Sequence, residues 1–261
     1  MEIRLDGKVA LITGGSMGMG KAMAEKFAAS GAEVAIVARR PEPLAEAARE
    51  IVAAGGRCRA YAGDVSRADE VSRVFGAITA DLGRVDILVN NAGRSQAGKF
   101  EDLTDEIWQG DFDLKVFAAV RFARLALPGM KSRRWGRIIN VLNIGAKAPG
   151  PGSAPTTVMR SAGMALTKIL AGEGAPYNVL ANALMTGLIV SDQWARRYRS
   201  LAPRQSFEKF LDEQAKAQRL PMGRFGTAEE FANIAFFLAS DAASYISGTA
   251  INVDGAKSPV V

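Results

Sequence analysis

Between the apolar run Val9 to Ile12 and a helix-like run from Lys21 to Ala29 lies Thr13-Gly14-Gly15-Ser16-Met17-Gly18-Met19-Gly20. No other stretch limits the fold as tightly. A buried strand that passes through such a turn into a helix directs free backbone N–H groups and the positive helix end at one point, which suits a pyrophosphate. The spacing divides the work. Gly14 permits the tight turn, Gly18 lets a phosphate approach the backbone, and Gly20 lets helix and strand pack closely. Glycine clusters also serve as plain turns between elements, so the reading depends on the segments C-terminal to the loop.

Those segments alternate. Glu33 to Ala38 reads as a second buried strand, Leu44 to Ala54 as a helix, and Arg57 to Tyr61 as a short strand. Ala68 to Leu82 is again helical, and Val85 to Val89 is a strand. Strands separated by helices imply crossover connections and a parallel sheet covered on both faces. The expected fold is α/β, a Rossmann-like doubly wound sheet, and 261 residues at 48% hydrophobic content suit one domain with a sizeable core.

Composition narrows the function classes. No run of about eighteen apolar residues predicts a membrane span, and no secretory leader is evident. Cys58 stands alone and histidine is absent, which excludes an intrachain disulfide and histidine metal ligands, predicts no metal and points to a cytoplasmic setting. The net charge of +6 is spread along the chain without a basic block interleaved with aromatics, so no nucleic-acid partner is expected. The densest basic stretch, from Arg196 through Arg204 to Arg224, is offset by Asp192, Glu208, Asp212 and Glu213 and reads as a solvated helical face. At the end of the second strand, where an acidic residue would bind an adenosine ribose, stand Ala38 and then Arg39-Arg40. Arginine there accommodates a 2′-phosphate and favours NADP(H), against a reading of both arginines as ordinary exposed charges.

Thr13 to Gly20, Asp64-Val65, Asn90-Asn91-Ala92-Gly93, Leu220-Pro221-Met222-Gly223-Arg224, and Ser244 to Thr249 running into Asn252-Val253-Asp254-Gly255 occur in one order and spacing. In this the chain resembles the short-chain dehydrogenase/reductase superfamily over nearly its whole length. The resemblance implies seven mainly parallel strands, a helical substrate lid at about 187–223, and a homotetramer or homodimer built on two long helices, Ile107 to Met130 and about Thr156 to Gly172. It assigns Gly14, Ser16, Met17, Gly18 and Met19 to the pyrophosphate and nicotinamide ribose, Arg39 to the 2′-phosphate, and Asp64 with Val65 to the adenine. Asn91, Ala92 and Gly93 would form the wall near the adenosine, and the segment from Gly187 through Ile189 to Ser191 would hold the nicotinamide.

The family's usual catalytic asparagine, serine, tyrosine and lysine do not carry over. Aligning Leu166-Thr167-Lys168 and Ala171 with the family's helix pattern places Thr156 at the tyrosine and Arg160 at the lysine, four residues apart on one helix face. The same register puts Asn143 at the serine and Lys115 at the asparagine, an atypical active site. Lys115, Asn143 and Arg160, with Arg94, would form an anion-stabilising pocket. Like-charge repulsion from Arg160 would make Lys115 a usable acid; the competing reading has Lys115 facing solvent or pairing with a carboxylate. Tyr198 is a further candidate acid on the lid, whereas Tyr177 lies past the helix end. Ile189, Val190, Trp194, Tyr198, Leu201, Phe207, Phe210 and Leu211 would give the lid an apolar face.

The expectation is an NADP(H)-dependent oxidoreductase acting on a small apolar or aromatic carbonyl or alcohol with a non-standard proton donor. The alternatives are a non-redox lyase, isomerase or dehydratase on the same fold, or a catalytically retired NADP-binding regulatory subunit.

Overall fold

The computed structural model describes residues 3–201 and 205–261, and at Asp192 and Gln193 it gives the backbone only. Arg204, part of the expected lid and the side chain of Asp192 thus lie outside the described residues.

Seven strands form one parallel sheet: β1 (Val9–Thr13), β2 (Glu33–Ala38), β3 (Arg57–Ala62), β4 (Ile87–Asn90), β5 (Gly136–Asn143), β6 (Val179–Thr186) and β7 (Ala250–Val253). Their order is β3-β2-β1-β4-β5-β6-β7. The chain reverses direction across the sheet between β1 and β4, so a crevice opens at their carboxyl ends. Every residue of β1 is buried, because helices cover both faces and leave no polar side to the strand.

One face is covered by α1 (Gly18–Ala29), α2 (Pro41–Ala53) and α9 (Ala228–Ala239), which bury Met23, Phe27, Ile51 and Phe231. The other is covered by α3 (Ala68–Leu82), α5 (Ala118–Ser132) and α6 (Thr156–Gly174), which bury Ile78, Phe122, Met130 and Leu170. The helix read as continuous from Ile107 to Met130 is divided: α4 (Asp105–Phe112) passes through a π-helical turn at Asp113–Phe117 into α5. The apolar periodicity runs on across this turn, so the sequence pattern does not reveal it.

Between β6 and α9 stand α7 (Asp192–Leu201) and α8 (Phe207–Ala217). Much of the expected substrate-facing apolar stripe instead joins these helices to one another. Tyr198 packs on Phe207 and Phe210 with ring centroids 5.2 and 5.5 Å apart, and Trp194 meets Phe225 edge-on at 4.8 Å. Among the described residues no helix is long and apolar enough to cross a membrane.

Candidate active site

The loop after β1 takes the shape that its glycines predict. Gly14 and Gly18 have φ of +67° and +54°, in the left-handed region, and open space lies over Gly18 where a Cβ would stand. A Cβ on Gly20 would overlap the carbonyl oxygen of Gly14. Thr13 ties the loop to β4: its Oγ1 accepts from the N–H groups of Asn91 and Ala92, each at 3.0 Å. Asn91 answers with its side chain, donating from Nδ2 to the Thr13 and Gly14 carbonyls at 2.9 and 3.3 Å. Asn91 therefore braces the loop as well as lining the groove beside Met17, Gly18 and Met19.

A groove of about 490 Å³ continues toward the ends of β2 and β3, with Gly14, Ser16, Arg39, Arg40, Val65, Ala92 and Gly93 on its walls. The Asp64 carboxylate turns away to accept from the backbone N–H and hydroxyl of Ser66, at 3.0 and 2.7 Å, which leaves Val65 to the groove. Arg39 is exposed, 3.9 Å from Asp64, and Arg40 donates to the Met17 sulfur at 2.8 Å. A glycine cradle with open space above it and two arginines at the far wall fit the phosphates of a dinucleotide. At the opposite end a cleft of about 400 Å³ is lined by Met19, Ser95, Thr186, Gly187, Ile189, Ser191, Trp194 and Arg197. Gly187 is held by donating to the Val253 carbonyl at 3.1 Å, and a Cβ there would lie 2.5 Å from the Cβ of Asp254.

Lys115 and Arg160 do not line these open spaces. They meet beneath the groove floor, around an interior cavity of about 10 Å³ shared with Asn90 and Asn140. Gly93 stands between: it lines the groove, and a Cβ on it would overlap Nη2 of Arg160. The Lys115 side chain is 1% exposed, ion-paired with the equally buried Asp111, and donates to Thr156 Oγ1 at 2.8 Å. Thr156 Oγ1 also accepts from the Gln96 N–H at 2.9 Å and donates to the Gln96 carbonyl at 3.0 Å, so the hydroxyl is fully engaged. Arg160 donates to the Val141 carbonyl, while its Nε is buried without a partner. Asn143 closes β5 in register with Thr186, its Oδ1 buried and unpartnered.

Burial is the main reason that Lys115 titrates at about 8, with Arg160 and Arg94 adding repulsion and Asp111 opposing both. The like-charge effect expected from the sequence acts in the expected direction, but desolvation leads it. The pairing with a carboxylate, expected as the alternative to a lowered pKa, occurs alongside it. Burial pushes Arg160 down to about 10, which leaves it cationic at neutral pH.

Asp111 is the residue that the sequence reading missed. Its signal was the four-residue spacing to Lys115, the ordinary distance for a pair on one helix face. A polar ladder was missed as well: Asn90 donates to Asn140 at 2.8 Å, and Asn140 to Thr167 at 2.9 Å. Tyr198 is not a free acid on the lid, because its hydroxyl donates to the Gln205 carbonyl at 2.6 Å. No group of His, Cys, Asp or Glu suited to a metal ion occurs among the described residues.

The sequence profile of the family described as enoyl-(acyl carrier protein) reductase matches residues 14–256. A 3-oxoacyl-[acyl-carrier-protein] reductase from Aquifex aeolicus is 34% identical over 260 residues, covering 98% of this chain and 99% of the relative. L-sorbose reductase from Gluconobacter frateurii, solved with NADPH and L-sorbose, is 37% identical and superposes with a TM-score of 0.95 over 100% of both chains. A short-chain oxidoreductase from Pseudomonas aeruginosa PAO1, solved with NADPH and said to contain an atypical catalytic center, is 34% identical. Its TM-score is 0.92, over 99% of this chain and 100% of that one.

Proposed function

This chain belongs to the short-chain dehydrogenase/reductase superfamily, and from that premise we propose that it is an NADP(H)-dependent oxidoreductase that reduces a small carbonyl compound with Lys115 as proton source. The observation that carries the assignment of the proton is the 2.8 Å contact between Lys115 Nζ and Thr156 Oγ1, at the position that the resemblance gives to the usual tyrosine. NADPH, when bound, supplies the hydride. The loop from Gly14 through Ser16, Met17 and Gly18 to Met19 presents N–H groups to the pyrophosphate, and Arg39 pairs with the 2′-phosphate, with Arg40 beside it. Val65, Ala92 and Gly93 flank the adenosine half, Asp64 holds the turn behind them, and Gly187 with Ile189 bounds the nicotinamide end.

Lys115 holds a proton at Nζ with a pKa of about 8, near the working pH at which general acids act best. Thr156 cannot ionise at such a pH, and to relay the proton its hydroxyl must turn from the Gln96 carbonyl, to which it donates, toward the substrate oxygen as it takes the Lys115 proton. Arg160, cationic beneath the groove floor behind Gly93, favours negative charge on the carbonyl oxygen through its field as the proton arrives, and the Asn143 amide at the end of β5 is given the donor role of the usual serine. The alcohol oxygen ends with the proton, and Lys115 is left neutral beside Asp111.

Leu125, Val158 and Ile169 are exposed on α5 and α6, which supports self-association through these helices into a homodimer or homotetramer. No nucleic-acid or membrane partner belongs to this reading, and the cell compartment is the cytoplasm.

Titration with NADPH and NADH tests the cofactor assignment. NADPH is expected to bind at least about tenfold more tightly, with the preference lost in Arg39→Ala. Equal affinities, or an unchanged preference in the variant, would remove the role given to Arg39.

A further inference from the structure

NADP⁺ and NADPH carry the same phosphates and the same adenosine, and they differ in the nicotinamide ring, which is cationic when oxidised and neutral when reduced. Every interaction at the phosphate end, that of Arg39 with its ion-pair partner Asp64 included, therefore cancels when the two forms are compared. What remains is the charge close to the ring.

That charge lies under the groove floor. Lys115 and Arg160 are sealed there with the carboxylate of Asp111, so two cations face one anion. Among the described residues, the others around the small cavity that the two cations share carry no charge. Gly93 separates Arg160 from the groove: a Cβ on it would overlap Nη2, while Gly93 itself lines the open space beside Met19 and Ser95. This stretch of groove shares Met19, Ser95 and Ser191 with the cleft of Gly187 and Ile189, the nicotinamide end. Lys115 approaches the same wall through Thr156, which bonds both polar groups of the Gln96 backbone, next to Ser95. Asp254 stands behind Gly187, but its carboxylate accepts from the N–H groups of Ala256 and Ser258 at 3.1 and 2.7 Å and does not line the cleft.

Building on the reductase reading, we infer that Arg160, together with Lys115, sets which oxidation state of the cofactor the site prefers: the buried cations disfavour the cationic ring of NADP⁺ and spare the neutral ring of NADPH, which makes Arg160 a specificity-determining residue. One unit of charge acting across a few ångströms of protein changes an affinity about tenfold or more. The same cations give the cycle a direction. The hydride leaves NADPH for the carbonyl carbon while Lys115 gives its proton to the oxygen, so the floor loses one positive charge in the step in which the ring gains one. Arg160 then balances Asp111, and NADP⁺ is tolerated. A proton taken up from solvent by Lys115 restores the excess and favours exchange of NADP⁺ for NADPH. Lys115 is faced by Asp111 from the preceding turn, Arg160 from α6 and Arg94 from the loop after β4, and it loses its proton above a pH of about 8. The preference for NADPH should therefore weaken above that pH, where Arg160 is still cationic.

The test measures the dissociation constants of NADPH and NADP⁺ by calorimetry at pH 7 and pH 9. At pH 7 NADPH is expected to bind about tenfold more tightly, and Arg160→Gln to cut that preference to about twofold or less by strengthening NADP⁺. Damage to the fold alone would weaken both forms alike and keep the ratio. In the wild type the ratio should shrink about threefold or more between pH 7 and pH 9. Equal affinities at pH 7, a ratio unchanged in Arg160→Gln, or a wild-type ratio unchanged at pH 9 overturns the inference. Should the variant fail to fold, the two wild-type comparisons decide it by themselves. Equal and measurable binding of both forms removes this inference and leaves the cofactor site and the reductase reading standing, whereas binding of neither form removes all three. Turnover is scored separately: the expected ratios without reduction of any carbonyl uphold the discrimination and remove the reductase reading.

Discussion

A lysine buried to 1% exposure needs a reason to be charged, and Asp111 supplies it. Asp111→Asn removes the opposing charge while burial and Arg160 remain, so the apparent pKa of the acid limb should fall below about 8. A pH–rate profile reads this directly, and an unmoved profile would show that Asp111 serves packing alone. Gly93 makes a second test at this scale. An added Cβ would overlap Nη2 of Arg160, so Gly93→Ala should displace the guanidinium, at a cost of about 1–3 kcal/mol and a fall in kcat with the fold retained by circular dichroism. The four positions Lys115, Asn143, Thr156 and Arg160 were assigned from the sequence by fixed counts from a helix pattern, and of these the structure brings Lys115 together with Thr156 and Arg160. The burial of Lys115 and Arg160 behind Gly93 was not legible, since nothing local to either of them encodes what covers it.

Between elements, the decisive contact is the glycine loop held to β4 by Thr13 and Asn91. Gly20→Ala would force a Cβ into the Gly14 carbonyl oxygen, opening the loop. It should abolish NADPH binding in a fluorescence titration and lower the melting temperature; binding that survives would mean the loop is not the phosphate cradle. Elements with strong local signals were read closely: β2 and α3 have the bounds Glu33 to Ala38 and Ala68 to Leu82 that the pattern gives. Those set by tertiary context were not. The helix after the loop begins at Gly18 rather than Lys21, because the last turn of the glycine segment already belongs to it. The π-turn around Lys115 leaves no mark in the periodicity, yet it interrupts the helix at the residue proposed as the proton source. The lid aromatics were identified correctly as apolar, but their spacing could not tell packing between α7 and α8 from packing on a substrate.

At the scale of the molecule, the order of strands places the crevice where the sheet reverses, and the loops that end β1, β2, β4 and β6 line it. Exposed Val158 and Ile169 lie on the outer side of α6, so Ile169→Glu should shift the protein to a smaller species in light scattering. An unchanged mass would place the assembly surface elsewhere. The reductase reading itself turns on whether a buried lysine supplies the proton, and the measurement that reaches it most directly is the pH dependence of kcat for NADPH-driven carbonyl reduction. A lysine acid with a pKa of about 8 is protonated below that value, so the rate should be level in neutral solution and fall about tenfold per pH unit above it. Lys115→Met should lose about 10²- to 10⁴-fold and show no such limb. A wild-type rate that stays level through pH 8, or a Lys115→Met variant that keeps both the rate and the limb, would contradict the assignment of Lys115 as the proton source.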